Sequence, residues 1–277
     1  MKLSVVVVNH NRCDLLKLTL NSLIKASNSV DNEVIIIDNA STDCTIEMLE
    51  ADYPRFRVIS NKVDEGIAKA ANRGIQASRG EYILLVNPDV ILGKETLEKV
   101  TAFMNDHQDV SGLGVRMLGA QGTFLQESNR GLTKPWISFF KATGLAKHFP
   151  KSRLSNRNNK EWVQEFQTSE IDILNGAFML VRRNVFNEIG GFDERFQQYG
   201  YDIDLSYRMR LAGFKNYYYP KTYIINFKSQ YLPKFTWAFI KHFYGAMFIF
   251  ASKYLFKLPE IKVPGIQLYP AQYEVER

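Results

Sequence analysis

Four short apolar runs punctuate the first third of the chain: LSVVVV (3–8), EVIIID (33–38), RVIS (57–60) and YILLV (82–86). They are rich in β-branched residues and too short for helices, so they read as strands. Longer helix-patterned stretches lie between them, around 14–27, 43–51 and 66–78. That rhythm means βαβ units, and strands that are apolar throughout mean a parallel sheet covered on both faces. Such sheets bind ligands in the crevice beyond the carboxyl ends of their strands. The residues after each run are Asn9-His10-Asn11-Arg12, Asp38 to Asp43, Asn61 to Gly66, and Asn87-Pro88-Asp89. Each tip alone reads equally well as a turn or a helix cap, because Asp, Asn and Ser favour both. Four in succession, converging on one sheet edge, also read as the lining of a site.

The second half is organised differently. From about 120 to 168 the chain turns basic and irregular, with a helix expected near 135–147, and reads as a partly mobile insertion. Strand-like residues return over 171–182, followed by a helix from 183, the Gly190-Gly191 break and a charged helix from about Tyr201. Between Phe235 and Leu258, apolar residues spaced by three and four describe an amphipathic helix. The division is thus one domain over 1–230, in halves of about 1–118 and 119–230. A helical tail follows over 231–277.

Composition limits the partners. Of 277 residues 45% are hydrophobic and 23% charged, which suits a folded domain, and the net charge of +6 favours anionic ligands. The cations are scattered and no nucleic-acid recognition motif is present, so nucleic acid is not an expected partner. Nor does a glycine-rich phosphate loop precede the first helix, as a nucleotidyltransferase reading would require. Cys13 and Cys44 are the two cysteines, without C-x-x-C spacing or a Cys/His cluster. Neither a disulfide framework nor a structural metal is expected, and a reduced, cytosolic setting follows. The opening apolar run is too short for a signal peptide. Lys241, His242 and Lys253 interrupt the most apolar stretch, so no spanning helix is expected.

Asp89 stands where a carboxylate on a strand-end loop can hold Mg²⁺ or Mn²⁺, hard cations that take carboxylate and phosphate oxygens. Asn87 stands beside it, and Pro88 fixes the backbone between them. Asp202 and Asp204 lie two apart at a helix start and point in different directions. Asp204 is the better placed to pair with Arg208, at i+4.

The chain resembles the family-2 glycosyltransferases, inverting enzymes of the GT-A fold. The segments that carry the resemblance are VVVVNHNR, IIIDNASTD, DEGIAKAANRGI, ILLVNPDV and NGAFMLVRRNVFNEIGGFDERFQQYGYDIDLSYRMRLAG, in family order from about residue 3 to 228. The stretch QESNRGLTKPW, with GLAKHFP after it, is similar to the branch containing bacterial rhamnosyltransferases. The resemblance implies an α/β architecture with a Rossmann-like, mostly parallel sheet, in which about 1–118 is the nucleotide-binding half and 119–230 the acceptor-binding half of a catalytic domain. It implies donor binding by Asp38 on the base or ribose, His10 stacked on the pyrimidine, Asn11 in the same tip, and Asn72 and Asn87 lining the nucleotide pocket. Arg73 or Lys69 are candidates to reach a phosphate. Asp89 becomes the metal ligand for Mg²⁺ or Mn²⁺, and Asp202 the base that deprotonates the acceptor.

Three positions depart from the family pattern. Asn87 replaces the first acid of an Asp-x-Asp motif, Tyr201 the Glu of a Glu-Asp motif, and Asn226 a histidine after the last strand. A site altered in this way holds its metal less tightly, and the alternative reading is a catalytically weak relative that binds sugar nucleotides. Lys228 is a further candidate cation. The implied donor is a dTDP- or UDP-linked sugar, rhamnose or another hexose, and the acceptor a glycan or a polyprenyl-diphosphate-linked sugar in surface polysaccharide synthesis. The aromatic tail helix then has three uses: core packing, a homodimer interface, or contact with the inner face of the cytoplasmic membrane.

Overall fold

A computed structural model of the chain describes residues 1–130, 134–145, 165–227 and 236–255. The first four strands form where expected: β1 Leu3–Asn9, β2 Asn32–Asp38, β3 Arg57–Ser60 and β4 Tyr82–Val86. They alternate with helices α1 Cys13–Ala26, α2 Thr45–Asp52 and α3 Ile67–Ala77. β1 pairs in parallel with β2 and β4, and β2 with β3. Side chains along β1 alternate between two cores, Val6 and Val8 in one and Leu3, Val5 and Val7 in the other. The period-2 geometry of a strand buried on both faces explains why this segment is apolar without a break from Val5 to Val8.

Beyond β4 the sheet becomes mixed, in the order β3-β2-β1-β4-β8-β6-β9-β5. These strands are β5 Val90–Leu92, β6 Val110–Leu118, β8 Phe178–Arg182 and β9 Lys215–Asn226. β8 runs antiparallel to both β4 and β6, whereas β6 and β9 are parallel. Helix α4, Thr96–Asp106, precedes β6. The strand expected over 171–182 is two strands. β7, Ser169–Ile171, pairs with β9. The following residues, 172–177, leave the sheet before β8 begins.

Only part of the 120–168 insertion lies within the described residues, and that part is packed. Helix α5, Glu127–Arg130, buries Ser128 and Asn129, and helix α6, Lys134–Ala142, brings Trp136 and Phe140 into the core. Helices α7 Arg183–Ile189 and α8 Tyr201–Leu211 cover the same face of the sheet. The tail helix, α9 Trp237–Tyr254, is N-capped by Thr236, whose side chain accepts from the Phe239 amide at 3.2 Å. Phe243, Ala246, Met247 and Phe250 bury one of its faces in the cluster that holds Trp136 and Tyr207. Core packing is therefore one use of the aromatic stripe. Residues 146–150 of the GLAKHFP segment, and Lys228, lie outside the described residues.

Candidate active site

The parallel register places Asn9 opposite Asp38, so the turns after β1 and β2 leave the sheet side by side. The Asn39 amide donates to the Asn9 carbonyl at 2.7 Å and the Asn61 amide to the Asp38 carbonyl at 2.8 Å, extending the ladder past the strands. Asp38 is buried. Its Oδ2 accepts from the Ser41 amide at 3.1 Å, while its Oδ1 has no hydrogen-bond partner in the protein. A buried carboxylate oxygen with spare acceptor capacity suits a ring N–H or a ribose hydroxyl.

His10 is exposed beside it. Its Nδ1 lies 2.7 Å from the Asn39 carbonyl, which can only accept, so Nδ1 carries the proton and Nε2 accepts from Asn11 Nδ2 at 3.2 Å. The ring is therefore held on its edges and keeps its face available. Asn11 sits at φ 51° and Ala40 at φ 61°, left-handed conformations seldom taken by non-glycine residues. Cross-links between the loops hold both: Asn11 Oδ1 accepts from the Thr42 amide at 2.6 Å, and the Asn11 amide donates to Ser41 Oγ at 2.9 Å.

Cys13 and Cys44 are joined in a disulfide, contrary to the expectation of two separate thiols. Their separation of 31 residues carries no signal in a linear reading. With Asn9 and Asp38 in register, however, the two turns run together and bring the cysteine Cα atoms to 5.8 Å. The Cys13 amide also donates to Asp43 Oδ2 at 2.9 Å.

Asn39 organises the third tip and was not singled out from sequence. Its Oδ1 accepts from Asn61 Nδ2 at 2.8 Å and from the Glu65 amide at 3.1 Å, and its Nδ2 donates to Asp64. Arg73 and Lys69 have partners of their own: Arg73 meets Asn61 at 2.6 Å and Glu65 at 2.8 Å, and Lys69 meets Glu65 at 3.1 Å. Asn72 is similarly committed. Its Nδ2 donates to the Phe192 carbonyl at 2.9 Å and to Glu194 at 3.1 Å, and its Oδ1 accepts from the Phe192 amide at 2.8 Å. A Cβ on Gly191 would stand 2.3 Å from that Oδ1. In this structure Asn72 clamps α3 to the 191–194 turn.

The fourth tip is fixed from α1. Thr19 donates its hydroxyl to the Pro88 carbonyl at 2.8 Å and accepts from the Val90 amide at 3.2 Å, aligning the turn that carries Asp89. The Asp89 carbonyl accepts from the Phe227 amide at 2.9 Å, and Asn226 lies opposite Val90 in the β5–β9 register. Asn226 thereby joins Asp89 at this edge, both buried.

The segment between β7 and β8 links this tip to the candidate base. The Asn87 amide donates to the Ala177 carbonyl at 3.2 Å, and the preceding amide, that of Gly176, donates to Asp202 Oδ2 at 3.1 Å. Only glycine fits there, because a Cβ on Gly176 would lie 2.3 Å from the Tyr201 hydroxyl. The Asn175-Gly176 pair is a turn signal in the sequence, but 171–182 read as one continuous strand.

Electrostatics separate the acids. Burial raises the Asp202 carboxyl to about 6, although the amides of Gly176 and Ile203 pull it the other way. Burial, then the charges of Asp202 and Asp89, push the Tyr201 phenol well above its usual range, so it stays neutral between two carboxylates. Burial alone would raise Asp204, but Lys253 and Arg208 outweigh it and hold that carboxyl low. Asp204 pairs with Arg208 at 2.9 Å, as the i+4 spacing predicted. A base poised near neutrality, backed by a permanently charged structural acid, is an arrangement suited to proton transfer from a hydroxyl.

The model of glycosyl transferase family 2 matches residues 4–190. The chain belongs to that family. Its relatives include the N-acetylglucosaminyl-diphospho-decaprenol L-rhamnosyltransferase of Mycobacterium tuberculosis (strain ATCC 25618 / H37Rv), 26% identical over 209 residues, or 71% of this chain and 67% of that one. Rhamnosyltransferase WbbL of Escherichia coli (strain K12) is 23% identical over 261 residues, covering 84% and 88%. The structure of Staphylococcus aureus TarS 1-349 in complex with UDP-GlcNAc matches with a TM-score of 0.59 at 21% identity, over 91% of this chain and 66% of that one. The mannosyltransferase PcManGT of Pyrobaculum calidifontis, in complex with GDP-Man and Mn²⁺, matches with a TM-score of 0.56 at 18% identity, over 83% and 58%. The expected GT-A fold and the rhamnosyltransferase-like branch both stand, and this family-2 member is a glycosyltransferase.

Among the described residues, no three His, Cys, Asp or Glu side chains are grouped to share an ion, and no helix is long and apolar enough to cross a membrane.

Proposed function

We propose that this family-2 glycosyltransferase moves a hexose, rhamnose foremost, from a dTDP- or UDP-linked donor onto a glycan or polyprenyl-diphosphate-linked acceptor in surface polysaccharide synthesis. The observation that carries the reading is the shared support of two tips. The Asn87 amide and the Asp202 carboxylate hang on consecutive residues, through the Ala177 carbonyl and the Gly176 amide. A diphosphate held at the Asn87–Asp89 turn and a hydroxyl held at Asp202 would be brought together by that one segment.

Asp38 takes the base or ribose, His10 offers its ring face to the base, and Asn11 holds that ring. Asp202 removes the acceptor proton as the acceptor oxygen bonds to the anomeric carbon, and the bond from that carbon to the nucleoside diphosphate breaks on the opposite side. One displacement with one base inverts the configuration. The buried Asp89 carboxylate, with the Asn87 amide oxygen, fits a hard divalent cation such as Mg²⁺ or Mn²⁺ whose remaining oxygen ligands come from the donor. Such an ion, when bound, neutralises charge on the departing diphosphate. Tyr201 and Asn226 add no negative charge there, consistent with weaker metal retention than a two-carboxylate site would give.

The face of α9 opposite the core exposes Trp237, Lys241, Tyr244 and Phe248. Aromatic rings around a cation suit the headgroup region of an anionic bilayer, which would place the enzyme at the inner face of the cytoplasmic membrane, near a lipid-linked acceptor. Co-sedimentation with vesicles containing anionic phospholipid, lost on replacing the three rings by serine, is the expected result. Equal binding by both proteins would sink the membrane contact, and a ring-dependent dimer in sedimentation velocity would assign the face to a second copy.

A thermal-shift screen of dTDP-, UDP- and GDP-sugars identifies the donor, because a ligand of the folded state raises its apparent stability. Transfer assayed with Mn²⁺ then tests the catalytic reading. Asp202→Asn should abolish transfer while retaining donor binding, whereas a parent protein that binds donor without transferring it would favour the sugar-nucleotide-binding alternative.

A further inference from the structure

We propose that Lys253 and Tyr254, at the end of α9, are positioning residues for glycosyl transfer, acting through Asp204 on the turn of α8 that carries Asp202. The inference rests on the reading of Asp202 as the base. Gly200, the N-cap residue of helix α8, is left-handed at φ 83° and provides no side-chain cap. Its first turn therefore needs other anchors. Asp202 makes two, to the amides of Gly176 and Ile203, but both must yield some strength when that carboxylate takes a proton.

Asp204 supplies the permanent anchor. Its side chain is fully buried, and three donors converge on it: Arg208 Nε at 2.9 Å, Lys253 Nζ at 2.7 Å and the Tyr254 hydroxyl at 2.7 Å. Arg208 belongs to the same helix and also donates to the carbonyls of Ile189 and Gly191, at 2.8 and 2.7 Å. Lys253 and Tyr254 are the donors that come from outside α8 and the turn before it, from 49 and 50 residues away. Lys253 also reaches Asp193 at 2.9 Å, tying α9 to the turn after α7.

Removing a partner from a buried carboxylate leaves charge uncompensated, and the cheapest relief is movement of that carboxylate toward water. Here such movement rotates the first turn of α8 and carries Asp202 with it. A misplacement of about 1 Å at a catalytic group costs on the order of 100-fold in rate. The tail helix thus acts on the site through Asp204.

The test compares Lys253→Met, Lys253→Arg, Tyr254→Phe and Asp202→Asn in the full chain. Hydrogen exchange of peptides spanning 199–206 reads the turn directly and needs no substrate. Turnover is read as nucleoside diphosphate release from dTDP-rhamnose, UDP-N-acetylglucosamine and UDP-glucose in parallel, with a short-chain polyprenyl-diphosphate-linked N-acetylglucosamine acceptor and Mn²⁺. Lys253→Met is expected to speed exchange of 199–206 by about tenfold or more and to lower kcat by a similar factor, with donor KM within about twofold. Peptides from β1 to β4 should exchange as in the parent, Lys253→Arg should restore the turn and kcat, and Tyr254→Phe, which keeps the ring, should show the same pattern more weakly.

Unchanged exchange in Lys253→Met, or a Lys253→Arg protein as impaired as Lys253→Met, would overturn the proposal. Should Lys253→Met fail to fold, Tyr254→Phe with parental exchange overturns it equally. Asp202→Asn keeps the two readings apart: if it transfers as the parent does, the base assignment falls whatever Lys253 does. If it is inactive while Lys253→Met keeps parental exchange and kcat, the base assignment stands and the positioning role falls.

Discussion

On the proposed donor side of the crevice, the tips of β1, β2 and β3 are woven together by short polar links among residues 9–13, 38–45 and 61–66, reinforced by the Cys13–Cys44 disulfide. On the proposed acceptor side, Asp202 is held by the Gly176 amide and, through Asp204, by the far end of α9. Parallel strand register by itself brings the donor tips together. No comparable register brings 176, 202 and 253 together, and they meet only when separate elements pack. A donor site built this way is preorganised, whereas an acceptor site assembled from distant elements has more ways to be tuned or lost.

Breaking each side should leave a different signature. The largest effect is expected from Asp202→Asn: loss of about 1,000-fold in kcat, the middle of the range for a general base, with donor affinity nearly unchanged in calorimetry. A comparable loss of donor affinity would show that the two sides are not separable. Next comes the disulfide. Cys13→Ser with Cys44→Ser should lower unfolding stability by about 3–4 kcal/mol in denaturant titration, from loop-closure entropy over the bridged span. Turnover at saturating donor should change little, since the acceptor side has no share in that link.

Asp38→Ala should weaken UDP or dTDP binding by about 10- to 100-fold, the worth of a hydrogen bond to a charged group, while kcat at saturation persists. The smallest effect sharpens the acceptor side. With Asp202 raised to about 6, its active, deprotonated form declines as pH falls through that value, so kcat should drop roughly tenfold per unit below it. The stability effect runs in the opposite sense. A carboxyl whose folded pKa is raised binds its proton more tightly when folded, so its contribution to stability falls as pH rises from about 4 to about 6 and is level above. Asp202→Asn should flatten both limbs.

Much of this was legible in the chain. β1, β2, β3 and β4 lie within a residue of the runs that announced them, and α8 begins at Tyr201 as expected. Asp38, Asp89 and Asp202 stood out as candidates because each ends or follows a strand or opens a helix within a recognisable local motif. The Asp204–Arg208 pair was legible from helical spacing alone. The Cys13–Cys44 bridge was not, since a pair 31 residues apart looks like two free thiols until β1 and β2 are laid in register. Asn72 and Arg73 appeared to face the ligand, but their partners at Phe192 and Glu65 come from turns that a helix-surface reading does not see.

What the sequence by itself determined is therefore what repeats or caps locally: strand and helix periods, the polar tips that parallel strands must align, and the acids placed at them. Tertiary structure alone decided the uses of Asn39, Gly176, Cys13 with Cys44, and Lys253 with Tyr254. The physical reason is that hydrogen bonds and buried charges need partners within about 3 Å. Chain neighbours supply those partners only in turns and helices, and everywhere else the packing of distant segments selects them.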